Sequence, residues 1–416
     1  MKKILFLGAA NFQIPPIRYA LDHGYYVITA DNVPENAGHK LAHKSFNVST
    51  VDMEGILALA RQECVDGIMT FGSDVSAPTA AYAAEKLGLP GNPYESVRML
   101  TDKSKFRAFL NSTGLQPQRY QKFGPDEAAN AAEYIAGSLL PVVIKPVDSA
   151  GSKGVSVVRE LDRLDEQIRY AYSSSITKRI IVEDHVRKLG RQVCGDGFVV
   201  NGELVFVEFG DGHFYDDCEF LAPYAETFPG THQPAHLEKV RQKLAAIVRE
   251  AGFRNGPFNL DVFITEAGEP FIIELGPRSG GNYIPRAIFL NTGVDVVGAA
   301  VEICLDRGFE FPVVPPRQEK FFACYMIHSR TGGVLKEVKF TPEIAPNLFE
   351  INMYLSTGAH VEPFHKANTA IGNVILRFDS FAEVQSKMSR IQDFCYPEFE
   401  TATMEAGIVP RAGRGG

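Results

Sequence analysis

Val142-Val143-Ile144-Lys145-Pro146 is an apolar run that ends in a lysine, and Ala150-Gly151-Ser152-Lys153-Gly154 follows shortly after it. A second apolar run, Val155–Val158, comes directly after the glycines. This pattern predicts two strands joined by a loop of small residues, whose backbone N–H groups can surround a phosphate. Lys145 would add a point charge to the phosphate oxygens. The alternative is an ordinary hairpin turn with a lysine nearby. A Walker A loop is excluded, because GxxxxGK[ST] is absent and a strand follows the glycines.

Two carboxylates occupy a second pair of predicted strands. Phe258–Thr265 and Pro270–Leu275 are joined by a short segment that contains Gly268, which indicates a hairpin. Asp261 and Glu274 would lie on neighbouring strands, where two buried carboxylates repel each other unless a cation lies between them. Oxygen ligands of this kind suit Mg²⁺. The alternative is a pair of solvated carboxylates, which the apolar neighbours of Glu274 disfavour.

The segment Gly276-Pro277-Arg278-Ser279-Gly280-Gly281-Asn282 follows Glu274 almost directly. An arginine among glycines suits a carboxylate or a phosphoryl oxygen. A helix that begins near Tyr283 would add its N-terminal N–H groups. The alternative is a glycine-rich turn with an exposed arginine.

The rest of the chain divides into regions of different pattern. Before residue 100, predicted strands at Lys3–Leu7, Tyr25–Thr29 and Gly67–Thr70 alternate with helices, which indicates a parallel α/β sheet with right-handed crossovers. From about residue 141, strands predominate and predict an α+β region. A proline-rich segment, Phe311–Gln318, precedes further strands and a helix.

Composition restricts the class of protein. The 416 residues suggest two or three domains, and 45% hydrophobic with 22% charged residues excludes disorder for most of the chain. The net charge of −8 and the lack of a Lys/Arg run argue against nucleic acid as a partner. No apolar run approaches the roughly 18 residues that a membrane span needs.

The first residues of the chain bear on whether it carries a signal peptide, and its cysteines bear on whether the thiols are reduced. Lys2 and Lys3 precede a short apolar run, which a signal peptide would also show, but no small-residue cleavage site follows and a first buried strand fits better. The six cysteines form no CxxC pair, which argues against zinc ribbons and disulfide frameworks. We therefore expect reduced thiols in a cytoplasmic protein.

In this order and spacing, the segments resemble the ATP-grasp superfamily over about residues 1–305. Ile4–Gly8, Val27–Asp31 and Thr70–Asp74 resemble the domain that precedes the ATP-grasp domain in carboxylate–amine ligases. The chain is similar to L-amino-acid ligases and to purine-pathway and carbamoyl-phosphate-synthase-type enzymes. The resemblance implies a Rossmann-like α/β domain over 1–100 and a nucleotide-binding region over 101–305, with lobes 101–190 and 191–305. It also implies a small α+β C-terminal domain over 306–406 and a disordered tail over 407–416.

The resemblance also implies a set of site residues. Asp261 and Glu274 would hold Mg²⁺, with Mn²⁺ as an alternative, and Arg278 and Lys145 would act in catalysis. Arg278 would steady the acyl phosphate or the substrate carboxylate. The ATP-binding residues would be Lys103 after Asp102, Lys145, Ser149, Gly151, Ser152, Gly154, Glu183, Asp184, His185, Val186 and Gln192.

Three of these positions carry more detailed expectations. Glu183 would meet the adenine amino group through its backbone or its side chain. The family usually has a glutamate on the ribose hydroxyls where this chain has Gln192, which can still accept a hydroxyl hydrogen bond. Many members have an asparagine as a third metal ligand where this chain has Gly276, although the purine-pathway members also lack it.

The implied activity is an ATP-dependent ligase that joins a small carboxylate, such as an amino acid, to an amine through an acyl phosphate and releases ADP and phosphate. We expect small-molecule substrates, neither a membrane nor a nucleic-acid partner, and a homodimer. The stretch His213–Asp217 would contact the acceptor. One alternative is a non-catalytic or regulatory ATP-binding module of the same fold. Another is a nicotinamide-dependent oxidoreductase, suggested by Gly8 and Asp31 but lacking the second and third fingerprint glycines.

Overall fold

The structure is a computed structural model that describes residues 1–215, 222–315, 320–364 and 369–400. Several positions named above lie outside the described residues. They are Asp216 and Asp217 of the stretch expected to contact the acceptor, part of the proline-rich segment (316–319), and the tail 407–416.

The N-terminal region is a four-stranded parallel sheet with helices on both faces. Its strands are β1 (Lys3–Leu7), β2 (Tyr26–Ala30), β3 (Lys44–Phe46) and β4 (Gly67–Thr70), in the order β3-β2-β1-β4. Ile4 and Phe6 pack with α1 (Ile14–Asp22) on one face. Leu5 and Leu7 pack with α2 (Met53–Glu63) and α3 (Ala77–Leu87) on the other. The predicted parallel α/β region is confirmed.

The next region is a small antiparallel sheet. Helices α4 (Tyr94–Thr101) and α5 (Lys103–Ser112) lead into it. Its strands are β5 (Tyr120–Phe123), β6 (Val142–Pro146), β7 (Ser156–Val158) and β8 (Ile180–Asp184), in the order β5-β8-β6-β7, and α6 (Ala128–Ala136) and α7 (Leu164–Ser174) pack on it. The predicted pair of strands around the glycine-rich loop is therefore β6 and β7.

An eight-stranded antiparallel sheet forms the centre of the molecule. In spatial order its strands are β13 (Pro270–Gly276), β12 (Gly256–Ile264), β9 (Gln192–Val200), β10 (Glu203–His213), β11 (Ala225–Phe228), β14 (Phe321–Ile327), β18 (Gly372–Phe378) and β16 (Leu348–Met353). Its helices are α8 (Pro234–Glu250), α9 (Ile284–Thr292) and α10 (Val296–Ile303). This antiparallel sheet, together with the N-terminal parallel sheet, confirms the predicted mixture of α/β and α+β regions.

C-terminal residues also build a three-stranded sheet of β17 (His360–Val361), β15 (Gly333–Phe340) and β19 (Cys395–Phe399). Helices α11 (Phe381–Met388) and α12 (Ile391–Phe394) pack beside it. Because β14, β16 and β18 belong to the eight-stranded sheet, the proposed domain boundary at residue 305 separates strands of a single sheet. That boundary stays a prediction.

Helices α9 and α10 lie between the parallel sheet and the eight-stranded sheet. Their apolar side chains share one buried cluster with Ile4 and Phe6 of β1 and with Phe198 of β9. Glu302 on α10 accepts hydrogen bonds from the hydroxyls of Tyr19 (3.2 Å) and Tyr25 (2.7 Å). This packing brings the loop after β4 against the segment that precedes α9.

Among the described residues, no single helix is long and apolar enough to cross a membrane. Helices α9 and α10 meet the length and hydropathy criterion only as a pair bent by 112°.

Arg107 on α5 joins three elements through its buried guanidinium, which is 2% exposed. Its Nε donates to Glu183 Oε1 on β8 at 2.7 Å. Its Nη1 and Nη2 donate to the backbone oxygens of Ile272 (3.0 Å) and Ile273 (2.8 Å) on β13. The small sheet and the eight-stranded sheet are therefore connected by one charged side chain.

We predict that Arg107→Met destabilises the protein by about 3 to 5 kcal/mol, because it breaks a buried ion pair with Glu183 Oε1 and removes two donors from the backbone oxygens of β13. Chemical denaturation followed by circular dichroism would measure the change. The partly exposed Lys105→Met on the same helix is the control and should change stability by no more than about 0.5 kcal/mol. Equal midpoints for the two variants would contradict the prediction.

Candidate active site

Asp261 and Glu274 lie opposite each other on β12 and β13, as the sequence predicts. Burial and the charge of Glu274 raise the pKa of Asp261 to about 7. Burial would also raise the pKa of Glu274, but the charges of Lys103 and Arg278 outweigh it, so this pKa is lowered. The pair therefore consists of one carboxylate held in its charged form and one shifted toward its protonated form.

Lys103 connects this pair to the glycine-rich loop. It is the first residue of α5, whose N-cap Asp102 accepts from the backbone N–H groups of Ser104 and Lys105. Lys103 Nζ lies 3.2 Å from Glu274 Oε2 and donates to Ser149 O at 2.8 Å. Burial lowers the pKa of Lys103, but Glu274 and Asp74 outweigh this effect and raise it. The lysine stays charged beside the carboxylates.

Lys145 and Arg107 enclose the carboxylate of Glu183. Lys145 Nζ donates to Glu183 Oε2 at 2.8 Å, while Arg107 holds the other oxygen. Burial opposes the ionisation of Glu183, yet the two cations lower its pKa to about 2. Burial lowers the pKa of Lys145 despite its partner. The backbone of Glu183 lies between Tyr120 on β5 and Val143 on β6, and its expected contact with adenine stays a prediction. Sequence reasoning missed Arg107.

The predicted phosphate loop, Ser149–Gly154, is the turn between β6 and β7. Its fold requires glycine at 154, where φ is +79° and an added Cβ would lie 2.5 Å from Pro146 and Ser174. Gly151 and Ser152 also have left-handed backbones, with φ of +65° and +58°. The loop therefore forms a tight turn beside Lys103.

The predicted adenine-binding residues lie at the end of β8. Asp184 Oδ1 accepts from Arg119 Nη2 at 2.8 Å, and His185 N donates to Pro141 O at 3.3 Å. Val186 is partly exposed after them. Burial lowers the pKa of His185, and nearby arginines add to the shift.

Gln192, expected to contact the ribose hydroxyls, also lies beside the candidate metal ligand Asp261. Its Nε2 donates to Asp261 Oδ1 at 2.5 Å, so its amide lies on the candidate metal ligand. Strand β9 pairs with β12 in the sheet, with Val193 opposite Val262. This register puts the side chains of Gln192 and Asp261 within reach of each other. The expected ribose contact would use the other side-chain atom, Oε1, as an acceptor, and it stays a prediction.

Arg278 pairs with a carboxylate that sequence reasoning left without a role. Its Nη2 donates to Asp74 Oδ2, and both side chains are about 10% exposed. Asp74 belongs to the loop after β4, at the carboxyl end of the parallel sheet, where ligands of α/β proteins commonly bind. A Cβ at Gly276 would overlap Asp74 Oδ1, so Asp74 and Arg278 fill the space that an asparagine would need.

Asp196 anchors the backbone of the segment that carries Arg278. Both of its carboxylate oxygens accept from Gly280 N at 2.9 Å, and Asn259 Nδ2 donates to it at 2.9 Å. Burial raises the pKa of Asp196 to about 6 despite these hydrogen bonds. Sequence reasoning missed this residue, since a lone aspartate in an apolar strand gives no local signal.

The assembled site suits a polyanion together with a divalent cation. Lys103, Lys145 and Arg278 converge near two carboxylates, and Asp261 carries the raised pKa expected when such a pair lacks a cation between its members. In the part of the chain that the structure describes, no group of three His, Cys, Asp or Glu side chains forms a metal site. A bound Mg²⁺ would therefore take the remaining oxygen ligands from the polyanion or from water.

Comparisons with known proteins agree with this architecture. Residues 138–286 match the ATP-grasp domain family. An uncharacterized protein of Sinorhizobium fredii, y4rH, is 24% identical over 302 residues, which cover 68% of this chain and 58% of that protein. The formate-dependent phosphoribosylglycinamide formyltransferase of Methanocaldococcus jannaschii is 24% identical over 286 residues, which cover 66% of this chain and 69% of that enzyme.

A solved structure extends the likeness over nearly the whole chain. The L-amino acid ligase from Bacillus licheniformis superposes with a TM-score of 0.79 at 18% identity, covering 96% of this chain and 99% of that one. At this identity the likeness concerns the fold. The match therefore identifies an ATP-grasp domain at residues 138–286, and the shared architecture shows that the chain has the ATP-grasp fold.

Proposed function

We propose that this protein is an ATP-dependent ligase that joins a small carboxylate substrate to an amine and releases ADP and phosphate. The convergence of Lys103, Lys145 and Arg278 on the carboxylates Asp261 and Glu274 carries the proposal. The names of similar proteins, among them an L-amino acid ligase, support it.

ATP would first phosphorylate the substrate carboxylate, because a free carboxylate is a poor electrophile. A carboxylate oxygen bonds to the γ-phosphorus while the bond to the ADP oxygen breaks. Lys103 and Lys145 would neutralise charge on the transferring group, and Arg278 would hold the acyl phosphate. Mg²⁺ held by Asp261 and Glu274 would supply electrostatic stabilisation of the phosphates.

The acyl phosphate would then react with the amine. The amine nitrogen bonds to the carbonyl carbon, the bond from that carbon to the phosphate oxygen breaks, and the nitrogen loses a proton. The glycine-rich loop at 149–154 would cover the intermediate and exclude water, which would otherwise hydrolyse it.

The finer expectations remain proposals. ATP would occupy the cleft between the small sheet and the eight-stranded sheet, with adenine near residues 183–186. We also propose a cytoplasmic homodimer without membrane or nucleic-acid partners. Analytical ultracentrifugation tests the homodimer directly.

We predict that Lys145→Met and Glu274→Gln each lower substrate-dependent ADP formation by about 100- to 1000-fold, because each removes charge stabilisation at the transferring phosphoryl group. The assay would supply ATP, Mg²⁺ and a panel of small acids and amines. Lys122→Met, an exposed lysine on β5, and Glu269→Gln, in the turn of the β12–β13 hairpin, are the matched controls. ATP binding without turnover on the whole panel would instead favour a regulatory module.

We predict that Asp74→Asn lowers turnover by about 10- to 100-fold while leaving ATP affinity within about threefold of wild type. The carboxylate positions Arg278, and losing a charge-assisted hydrogen bond costs about this much. Steady-state kinetics and titration with an ATP analogue separate the two quantities. Glu35→Gln, an exposed carboxylate after β2, is the control. Unchanged turnover in Asp74→Asn would show that Arg278 needs no such partner.

A further inference from the structure

Glu226 on β11 is a buried carboxylate that the mechanism above does not use. It is 2% exposed and lies in register with Gly212 on β10 and Cys324 on β14. Asn282 Nδ2 donates to its Oε1 at 3.1 Å. Its Oε2 is buried and has no hydrogen-bond partner among the described residues. A buried oxygen without a donor is costly unless a ligand supplies one.

Asn373 on β18 adds a second acceptor on the same face of the sheet. It is fully buried, and its Nδ2 donates to Asn282 O at 3.3 Å. Its Oδ1 also has no partner among the described residues. Two unused acceptors therefore flank Asn282, which belongs to the same segment as Arg278.

This pocket adjoins the candidate metal site. Gly212 lies in register with both Gln192 and Glu226, so these two residues are two strands apart, or about 10 Å. The amide of Gln192 contacts Asp261. A side chain added at Gly281 would meet no atom within 4 Å, which shows open space beside Asn282. The separation is one that a small amino acid can span.

The groups in this pocket favour a ligand that carries both hydrogen-bond donors and a positive charge. Burial raises the pKa of Glu226 to about 8, the hydrogen bond from Asn282 opposes the shift, and Asp261 adds to it. No cationic side chain forms an ion pair with Glu226 in the described part of the chain. An ammonium group has three N–H donors and the missing charge. A divalent metal has the better site nearby, where Asp261 and Glu274 supply two facing carboxylates.

We propose that Glu226, together with Asn282 and Asn373, binds the ammonium group of the carboxylate substrate, which makes that substrate an amino acid. The inference rests on the proposed function, which places the substrate carboxylate at Arg278. Glu226 is then a specificity-determining residue that rejects acids of the same size without an amino group.

The test compares amino acids with their des-amino counterparts, for example alanine with propionate. Calorimetric titration in the presence of Mg²⁺ and a non-hydrolysable ATP analogue would measure binding of each protein amino acid. We expect at least one amino acid to bind wild type at least about 10-fold more tightly than its des-amino counterpart. Glu226→Gln and, independently, Asn373→Ala should each lower the affinity for that amino acid by about 10- to 100-fold.

Glu302→Gln is the matched control, because this carboxylate accepts two tyrosine hydrogen bonds far from the pocket. It should bind the amino acid within about threefold of wild type, and all variants should keep their affinity for the ATP analogue. Should both pocket variants fail to fold, the wild-type comparison decides alone.

The failures of the two proposals are distinguishable. Equal affinity for amino and des-amino acids, unchanged affinity in Glu226→Gln, or no binding of any amino acid would overturn the ammonium site. ADP release with des-amino acids would accompany such a result if the ligase proposal still holds. Binding of an amino acid through Glu226 without ADP release would refute the ligase proposal and keep the ammonium site.

Discussion

A buried carboxylate between two cations determines how the nucleotide-binding region is put together. Glu183 is unstable in the interior unless both of its oxygens are paired, and Arg107 and Lys145 satisfy this requirement. Arg107 also binds backbone oxygens of β13, the strand that carries Glu274. Lys103 lies four residues before Arg107 and therefore on the same face of α5. One ion-pair network thus orients two lysines toward the carboxylate pair.

The site collects positive charge in a protein whose net charge is −8. The same cations act unequally on the facing carboxylates: Glu274 lies beside Lys103 and keeps its charge, whereas Asp261 Oδ1 accepts from the neutral amide of Gln192 and the pKa of Asp261 is raised. Asp261, whose pKa is raised, is therefore the carboxylate whose charged form a bound metal ion would stabilise. The positive charges of Lys103, Lys145 and Arg278 complement a polyanion, and a bound metal ion would complement the two carboxylates.

Local patterns predict strands of mostly apolar residues and the residues whose neighbours in sequence share their site, whereas the buried strand β11, which contains Glu226 and Thr227, was missed. Thus β4 was predicted to the residue, and the hairpin that carries Asp261 and Glu274 was predicted with its register. The short exposed strand β3 and the edge strand β16 were missed, because half of their side chains or more face solvent. Asp74 and Glu226 could not be predicted, since each meets its partner through contacts between distant segments. The contacts of Glu183 with Arg107 and of Gln192 with Asp261 could not be predicted for the same reason.

The eight-stranded sheet has a consequence for how the chain can be divided. Strand β11 pairs with β10 on one side and with β14, from beyond residue 305, on the other. A fragment that stops at 305 would leave the backbone groups of β11 as an open edge, which invites intermolecular pairing and aggregation. Glu226 would lie on that edge. Strands β14 and β18 thus complete the sheet around the proposed ammonium site. A fragment that keeps this site must extend at least through β18, which carries Asn373.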